Sequence, residues 1–386
     1  MRHYKTTLVI SSFISIAVIS GFYSCKKNAA VPESDPLAAL NLPSTPFNYA
    51  NQALPAYLKT PVINGQDNNP ASNPITDWGA SLGRVLFYDK TLSINNTIAC
   101  ASCHKQSFSF ADNKAFSTGF SGGATTRNSM QLINARYYPG GKFFWDERAA
   151  TLEAQTLMPI QHPVEMGLSL DTLVDRLKAR PYYPVLFEKA FGSQAITSER
   201  TANALAQFVR SIISYQSKFD AGRALINPPQ DPIQTPYSNF TAQENQGKQL
   251  FFSPVTNCAA CHGTETFTAP MPKNNGIENP SADKGVGGIT NQPQQIGEFK
   301  VSSLKNIELT APYMHDGRFT TLEQVVEHYN SGIQANPNLS PQLRDGTGAP
   351  RRLNLTADQK TALVAFLKTL TDISITTDVK FSNPFR

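Results

Sequence analysis

The chain has 386 residues, of which 40% are hydrophobic, 10% aromatic and 16% charged. This length predicts about two domains, and the composition excludes a disordered chain, collagen and a coiled coil. The net charge is only +5, and the sequence contains no run of five basic residues. Nucleic acid is therefore not an expected partner. Frequent Pro, Asn, Ser and Thr predict long ordered loops around a helical core.

The N-terminus has the pattern of an export signal. A basic start precedes an apolar stretch over 8–19, which is too short to span a bilayer, and a serine stands directly before Cys25. The pattern resembles the lipobox of bacterial lipoproteins, whose cysteine carries a lipid and begins the mature protein. We therefore expect residues 1–25 to be a lipoprotein signal peptide and the protein to be exported to the periplasm and anchored to a membrane through Cys25. An ordinary cleaved signal and an uncleaved helix are the alternatives. Residues 26–75 are predicted to form a tether and an extended lead-in.

Two Cys-x-x-Cys-His motifs account for the other four cysteines: Cys100, Cys103 and His104 in the first, and Cys258, Cys261 and His262 in the second. The pattern is typical of covalent heme c attachment. Two thiols one helical turn apart can add to the two vinyl groups of the porphyrin, and the next imidazole then reaches the iron. A zinc ion shared by both cysteine pairs and a pair of redox dithiols are the alternatives. The motifs thus predict two covalently bound heme c groups.

The chain contains an internal duplication. Cys100 and Cys258 are separated by 158 positions, and the same offset relates the apolar pattern of 204–212 to that of 362–370. The spacing i, i+1, i+4, i+5, i+8 predicts an amphipathic helix at the end of each half. Ser198 and Thr356 are the expected N-caps of these two helices.

Each half also begins with a predicted helix, which follows Thr76 in the first half and Thr241 in the second. Small residues such as Gly83 and Gly247 would let these helices cross the closing helices at short distance. Prolines between 228 and 236 indicate a linker between the halves. The predicted fold class is mainly α, with two cytochrome c-like heme domains and long loops: an N-terminal domain over 76–227 and a C-terminal domain over 228–386.

Further motifs stand in register with the heme motifs: Leu82-Gly83, Leu86-Phe87, Arg127-Asn128, Phe144-Trp145-Asp146, Glu165-Met166 and Pro312-Tyr313-Met314-His315. With them, residues 76–375 resemble the bacterial di-heme cytochrome c peroxidase family, which includes the MauG-type enzymes. In that family the N-terminal heme carries the peroxide chemistry, and the C-terminal heme accepts electrons from a small donor protein. Homodimers are usual in the family.

The resemblance implies roles for several residues. Glu165 matches the family's acid-base residue, which moves a proton between the peroxide oxygens. Gln155 matches a residue of the distal pocket, and Trp145 matches an aromatic residue between the hemes; a core anchor is the alternative role for Trp145. A calcium site between the domains is implied by three positions: Asn128 and the backbone oxygens of Thr310 and Pro312.

The sequence departs from the typical peroxidases at two positions. Phe120 stands where many members have a histidine that closes the first heme, and no histidine occurs between 104 and 162. We therefore expect an open or water-bound first heme that needs no reductive activation. Tyr329 stands where typical peroxidases have the methionine ligand of the second heme, as in the MauG-type enzymes. Met314 and Met271 are the alternative ligands.

The resulting interpretation is a di-heme peroxidase that reduces hydrogen peroxide with electrons from a small cytochrome c or a cupredoxin. One alternative is a MauG-like oxidase that forms high-valent iron and oxidises a partner protein, as Tyr329 and Phe120 favour. Another is a non-catalytic di-heme electron carrier, against which Glu165 and Gln155 speak.

Overall fold

The computed structural model describes residues 1–7, 35–226 and 230–386. The chain divides into two compact units, Met1–Asp35 and Pro36–Arg386. In the first unit, residues 1–7 carry no helix or strand; the rest of the predicted export signal, including Cys25, lies outside the described residues. Within the described ranges, no helix is both long and apolar enough to cross a bilayer.

The second unit is built from helices and loops. The part of it that the structure describes contains thirteen α-helices: α1 Pro61–Asn64, α2 Asp77–Tyr88, α3 Cys100–Cys103, α4 Leu152–Gln161, α5 Leu170–Lys178, α6 Tyr182–Phe191, α7 Ser198–Ser211, α8 Lys218–Ala224, α9 Ala242–Phe252, α10 Ala259–His262, α11 Val286–Thr290, α12 Leu322–Glu327 and α13 Ala357–Lys368. Short 3-10 helices occupy Ala56–Lys59, Lys90–Leu92, Gln106–Phe108, Ala135–Tyr137, Pro293–Gln295, Ile307–Leu309, Pro341–Leu343, Ile373–Thr376 and Val379–Phe381. A π-helical turn, His328–Gly332, follows α12. Over the same ranges, β-structure is limited to isolated bridges, so the mainly α fold class is confirmed.

The predicted helix starts are correct at three of four positions. The side chains of Thr76, Thr241 and Thr356 cap α2, α9 and α13, the last two in capping boxes. The prediction of Ser198 as an N-cap is wrong by one residue. Thr197 has the extended backbone of an N-cap and its side chain accepts from the Arg200 N–H, while Ser198 is already helical.

Two close helix crossings form the framework of the unit. A Cβ atom built on Gly83 of α2 would lie 2.0 Å from the Ala204 carbonyl oxygen of α7. At the second crossing, a Cβ on Gly247 of α9 would lie 1.9 Å from the Ala362 carbonyl oxygen of α13. Only glycine permits helix backbones to approach this closely, so the duplicated sequence pattern produces a duplicated packing arrangement.

Each crossing lies in its own hydrophobic core. The first core contains α2 and α7, and the second contains α9 and α13. The end of the chain returns to the first core, where the Phe381 ring lies 6.3 Å from those of Phe110 and Phe208. The division of the chain into domains at residue 228 therefore stays a prediction.

Buried lysines hold the segments that join the two cores. Lys248 Nζ, fully buried, donates to the carbonyl oxygens of Pro232, Ile233 and Thr235 at 2.7–2.8 Å. This lysine fixes the part of the predicted linker that follows 227–229, which lie outside the described residues. Lys305 forms a buried ion pair with Asp220.

Candidate active site

The first Cys-x-x-Cys-His motif forms the short helix α3 and ends at His104. His104 Nδ1 lies 2.9 Å from the Phe110 carbonyl oxygen, and its ring lines a cavity. Burial lowers the pKa of His104, which keeps the ring neutral. A neutral imidazole whose Nδ1–H bonds a backbone carbonyl has Nε2 free to bind a metal.

The second motif repeats this geometry. His262 Nδ1 lies 3.0 Å from the Phe267 carbonyl oxygen, and burial lowers the pKa of His262. Cys258 and Cys261 line a second cavity together with this ring. Both histidines are therefore oriented in the same way by the residues that follow their motifs.

The two cavities have empty volumes, open mouths included, of about 1300 Å³ at the first motif and about 1730 Å³ at the second. In the part of the chain that the structure describes, no group of three or more Cys, His, Asp and Glu side chains is placed to hold a metal ion. The shared zinc site is therefore not formed, whereas a thiol pair followed by an oriented imidazole that lines a cavity fits heme c at each motif.

The first cavity brings together the predicted peroxide-site residues. Glu165, Gln155, Trp145 and His104 all line it. Gln155 lies on α4, and Glu165 lies in the turn that follows this helix. In this turn the His162 carbonyl oxygen accepts from the Glu165 and Gly167 N–H groups, at 3.1 and 3.0 Å. The turn thus fixes the backbone of Glu165 beside the end of α4.

The Glu165 carboxyl group is partly withdrawn from water. Burial raises the pKa of Glu165, and the nearby His162 and Arg148 oppose this shift. His162 Nδ1 lies 3.6 Å from Glu165 Oε1. The carboxyl group can therefore hold or release a proton closer to neutral pH than an exposed glutamate does.

Phe120, at the position of the family's closing histidine, faces away from this cavity. Its N–H donates to the Glu165 carbonyl oxygen at 3.0 Å. Its ring packs on Gly167, where a Cβ would lie 2.6 Å from Phe120 Cε1. Phe120 is not among the residues that line the cavity. The aromatic side chain therefore attaches its loop to the Glu165 turn and contributes no group to the cavity.

Trp145 lies in the wall between the two cavities and contributes to both. Its indole N–H donates to the Asn128 carbonyl oxygen at 2.8 Å, and its own carbonyl oxygen accepts from the Lys300 N–H at 2.8 Å. The ring orientation is therefore fixed by backbone groups of other segments.

The three predicted calcium ligands all line the second cavity. The Asn128 amide nitrogen donates to the carbonyl oxygens of Lys114 and Ala115, at 3.0 and 3.4 Å. These contacts neither form nor exclude an ion site, so calcium stays a prediction.

Both ligand candidates for the second heme, Tyr329 and Met314, line the second cavity. Tyr329 lies in the π-helical turn, and burial raises its pKa to about 12. Asn275 Nδ2 donates to Met314 Sδ at 3.4 Å. Met271 is 61% exposed and does not line the cavity, which makes it a poor alternative.

Sequence reasoning missed Lys300, which lines both cavities. Its ammonium nitrogen lies 3.9 Å from the Tyr138 ring centroid and 4.4 Å from that of Phe143. Burial lowers its pKa to about 7. A lysine between apolar residues carries no recognisable signal in the sequence, because its burial depends on distant segments.

Fold and cavities together describe a helical protein with two Cys-x-x-Cys-His motifs, each of which places its histidine at a cavity. The family described as "Di-haem cytochrome c peroxidase" matches residues 78–224. The methylamine utilization protein MauG of Methylorubrum extorquens is 34% identical, over 78% of this chain and 80% of that protein. The cytochrome c551 peroxidase of Nitrosomonas europaea is 32% identical, over 76% of this chain and 79% of that protein.

Among solved structures, a MauG-like protein associated with microbial copper homeostasis superimposes with a TM-score of 0.73. It is 32% identical, and the match covers 87% of this chain and 99% of that protein. This chain belongs to the di-heme cytochrome c peroxidase and MauG family. Membership implies an oxidoreductase with two heme c groups, bound at the two Cys-x-x-Cys-His motifs.

Proposed function

We propose that this protein is a peroxidase that reduces hydrogen peroxide to water with electrons from a small cytochrome c or a cupredoxin. The observation that carries the proposal is the composition of the first cavity, which Glu165, Gln155 and His104 line together. A heme held by His104 supplies the redox chemistry of the site. Acid-base residues beside an open coordination position are of little use to a pure electron carrier.

Glu165 acts as the acid-base group of this reaction. Breaking the O–O bond so that one oxygen leaves as water requires a proton to move from one peroxide oxygen to the other. Complete reduction combines one peroxide with two electrons and two protons and gives two waters. Because burial raises the pKa of Glu165, its carboxylate can accept a proton and return it near neutral pH. The Gln155 amide offers a hydrogen bond to the bound peroxide.

A heme held by His262 would accept electrons from the donor, and Trp145, whose ring borders both cavities, would lie between the two heme sites. A heme held by His104 would receive no ligand from Phe120, so it would be five-coordinate or water-bound in the oxidised enzyme. Turnover therefore begins without reductive activation. A low-spin, bis-histidine spectrum from the oxidised first heme would contradict this part of the proposal.

A second candidate function is MauG-like oxidation of a partner protein. Tyr329 in the wall of the second cavity favours it, because a phenolate ligand stabilises oxidised iron over ferrous iron. The identity to the Methylorubrum protein points in the same direction. The two functions differ in the fate of the oxidising equivalents, which go either to a small electron donor or to side chains of a partner.

The deciding experiment is steady-state oxidation of a reduced small cytochrome c by peroxide, starting from fully oxidised holoprotein without residues 1–25. We expect immediate turnover in the wild type and a loss of about 10²–10⁴-fold in Glu165→Gln. Glu188→Gln, an exposed glutamate on α6, is the matched control and should retain full activity. No turnover with several donors would favour the MauG-like function, or an electron carrier if peroxide also leaves the heme spectrum unchanged.

We also propose that the protein is exported to the periplasm and anchored through a lipid on Cys25, on the sequence pattern of residues 1–25. Metabolic labelling with a radioactive fatty acid tests the anchor. Label should enter the wild type and be absent from Cys25→Ala. Equal labelling of the two proteins would contradict the assignment.

A further inference from the structure

Reduction of peroxide to two waters consumes two protons for each turnover, and these protons come from solvent. The acid-base shuttle of Glu165 only relocates a proton within the bound peroxide. The site therefore needs a path by which protons from water reach the Glu165 carboxyl group, whose side chain is only 28% exposed.

His162 is a neighbour of this carboxyl group and is more exposed to solvent than Glu165. It ends helix α4, three residues before Glu165, and lines the same cavity. Its side chain is 47% exposed, and its Nδ1 lies 3.6 Å from Glu165 Oε1. This separation slightly exceeds a hydrogen bond, and one water or a small rotation closes it.

His162 Nδ1 also has a partner for its unprotonated state. It accepts from the Val164 N–H at 3.3 Å. A neutral ring can therefore accept the hydrogen bond from the Val164 N–H, whereas a protonated ring can donate its Nδ1–H to the Glu165 carboxylate. The turn provides a contact for each of the two protonation states of the ring.

Few other groups can supply protons to Glu165. Arg148 is the second charged side chain that acts on it, and a guanidinium does not release protons at ordinary pH. The Cys100 and Cys103 thiols are also near enough to interact with Glu165, but they become thioethers when heme is attached. Within the described residues, Glu165 is the one carboxylate within ion-pair distance of His162.

We propose that His162 is a proton-relay residue that carries protons from solvent to Glu165. The imidazolium gives its Nδ1 proton to Glu165 Oε1, the neutral ring accepts the Val164 N–H, and water protonates the ring again. No electrons move in this step. The inference rests on the proposed function, because it supplies the protons that the peroxide reaction consumes.

The test measures steady-state oxidation of reduced cytochrome c at saturating peroxide, in which every turnover draws two protons from solvent, at several pH values between about pH 5 and 8. The variant is His162→Asn, whose amide oxygen can still accept the Val164 N–H. General acid-base groups contribute about 10²–10⁴-fold, and we expect about tenfold slower reaction at pH 7 for loss of the relay. The variant should be slower than the wild type at every pH in this range.

Two readouts separate a relay from a structural role. Added phosphate buffer should accelerate His162→Asn and leave the wild type unchanged, because a small acid replaces the missing proton donor. Cyanide association with the first heme should be equally fast in the two proteins, because HCN gives its proton directly to the Glu165 carboxylate; slower association in the variant would indicate a disturbed pocket. Gln161→Ala, the exposed neighbour on α4, is the control and should match the wild type in both.

Glu165→Gln distinguishes failure of this inference from failure of the proposed function. If Glu165→Gln is slow and His162→Asn follows the wild-type rate at every pH, the relay is refuted and the carboxyl group takes protons directly from water. If Glu165→Gln is as fast as the wild type, Glu165 is not the acid-base residue, and the proposed relay to it is refuted as well.

Discussion

The buried ion pair between Lys305 and Asp220 gives a quantitative test of how the two halves of the protein are joined. Their side chains are only 1% and 2% exposed. Asp220 Oδ1 accepts from the Tyr57 hydroxyl at 2.5 Å, and Oδ2 accepts from the Ser217 N–H at 2.9 Å and from its hydroxyl at 2.6 Å. Beyond Asp220, Lys305 Nζ has one hydrogen-bond partner, Ser217 Oγ at 3.3 Å.

Because Asp220 has more hydrogen-bond partners than Lys305, removing one side chain of the pair should lower the free energy of unfolding by a different amount from removing the other. Asp220→Asn leaves a buried ammonium with neutral acceptors only, namely the new amide oxygen and Ser217 Oγ, and it should lower the free energy of unfolding by about 5 kcal/mol, the upper end of the range for a broken buried pair. Lys305→Met leaves a carboxylate that keeps three hydrogen-bond donors, and it should cost about 3 kcal/mol. The double variant carries no buried charge, so it should be more stable than Asp220→Asn alone.

The pair also makes stability depend on pH. Burial disfavours the Asp220 carboxylate, but Lys305 and the hydrogen bonds from Ser217 and Tyr57 prevail, so the pKa of Asp220 is lowered. A carboxyl group with a lowered folded-state pKa stabilises the protein above its ordinary pKa of about 3.9, and this contribution is lost as pH falls through the lowered value. Acidification below about pH 4 should therefore destabilise the wild type through this group, and Asp220→Asn should lack that part of the acid sensitivity.

Urea unfolding of the holoprotein, followed by far-ultraviolet circular dichroism and by heme absorption, measures these differences. Both single variants and the double variant form one thermodynamic cycle. A decrease in the free energy of unfolding of less than about 1 kcal/mol for Asp220→Asn would refute the assigned pairing. So would a decrease for the double variant that equals the sum of the decreases for the two single variants.

Two further predictions follow from the packing and from the second cavity. Gly83→Ala and Gly247→Ala would each place a methyl group against a backbone carbonyl oxygen, at 2.0 and 1.9 Å. Overpacking should destabilise each variant by about 3 kcal/mol, and the higher helix propensity of alanine should offset about 1 kcal/mol of this. Each variant should therefore be about 2 kcal/mol less stable than the wild type in urea unfolding. Gly65→Ala, whose Cβ would meet its nearest atoms at 3.4 Å, is the control, and equal stability of all three variants would contradict the crossing geometry. Tyr329→Phe should change the electron paramagnetic resonance and reduction potential of the second heme, whereas Met314→Leu should leave both unchanged; the reverse result would make Met314 the ligand.

Local features of the fold were predictable because they depend on neighbouring residues. Capping by Thr76 and Thr356 follows from the residue types at helix starts. The prediction of Ser198 failed because Thr197 is an equally good cap and local sequence does not distinguish the two. The heme motifs were predictable for a related reason, since attachment needs two thiols and an imidazole within five consecutive residues.

The sequence by itself therefore determined the features that depend on residues close together in the chain. These are the two heme motifs, the duplicated helices with their glycines, and a glutamate recognised by its motif. The tertiary structure alone decided which distant groups meet. It brought Lys300 between the two cavities and Asn275 against Met314, and it turned Phe120 onto Gly167. It also set the half-exposed His162 ring 3.6 Å from the Glu165 carboxyl group. These contacts depend on how loops from separate segments pack on the two helix crossings, and a periodic pattern of apolar residues carries no information about that packing.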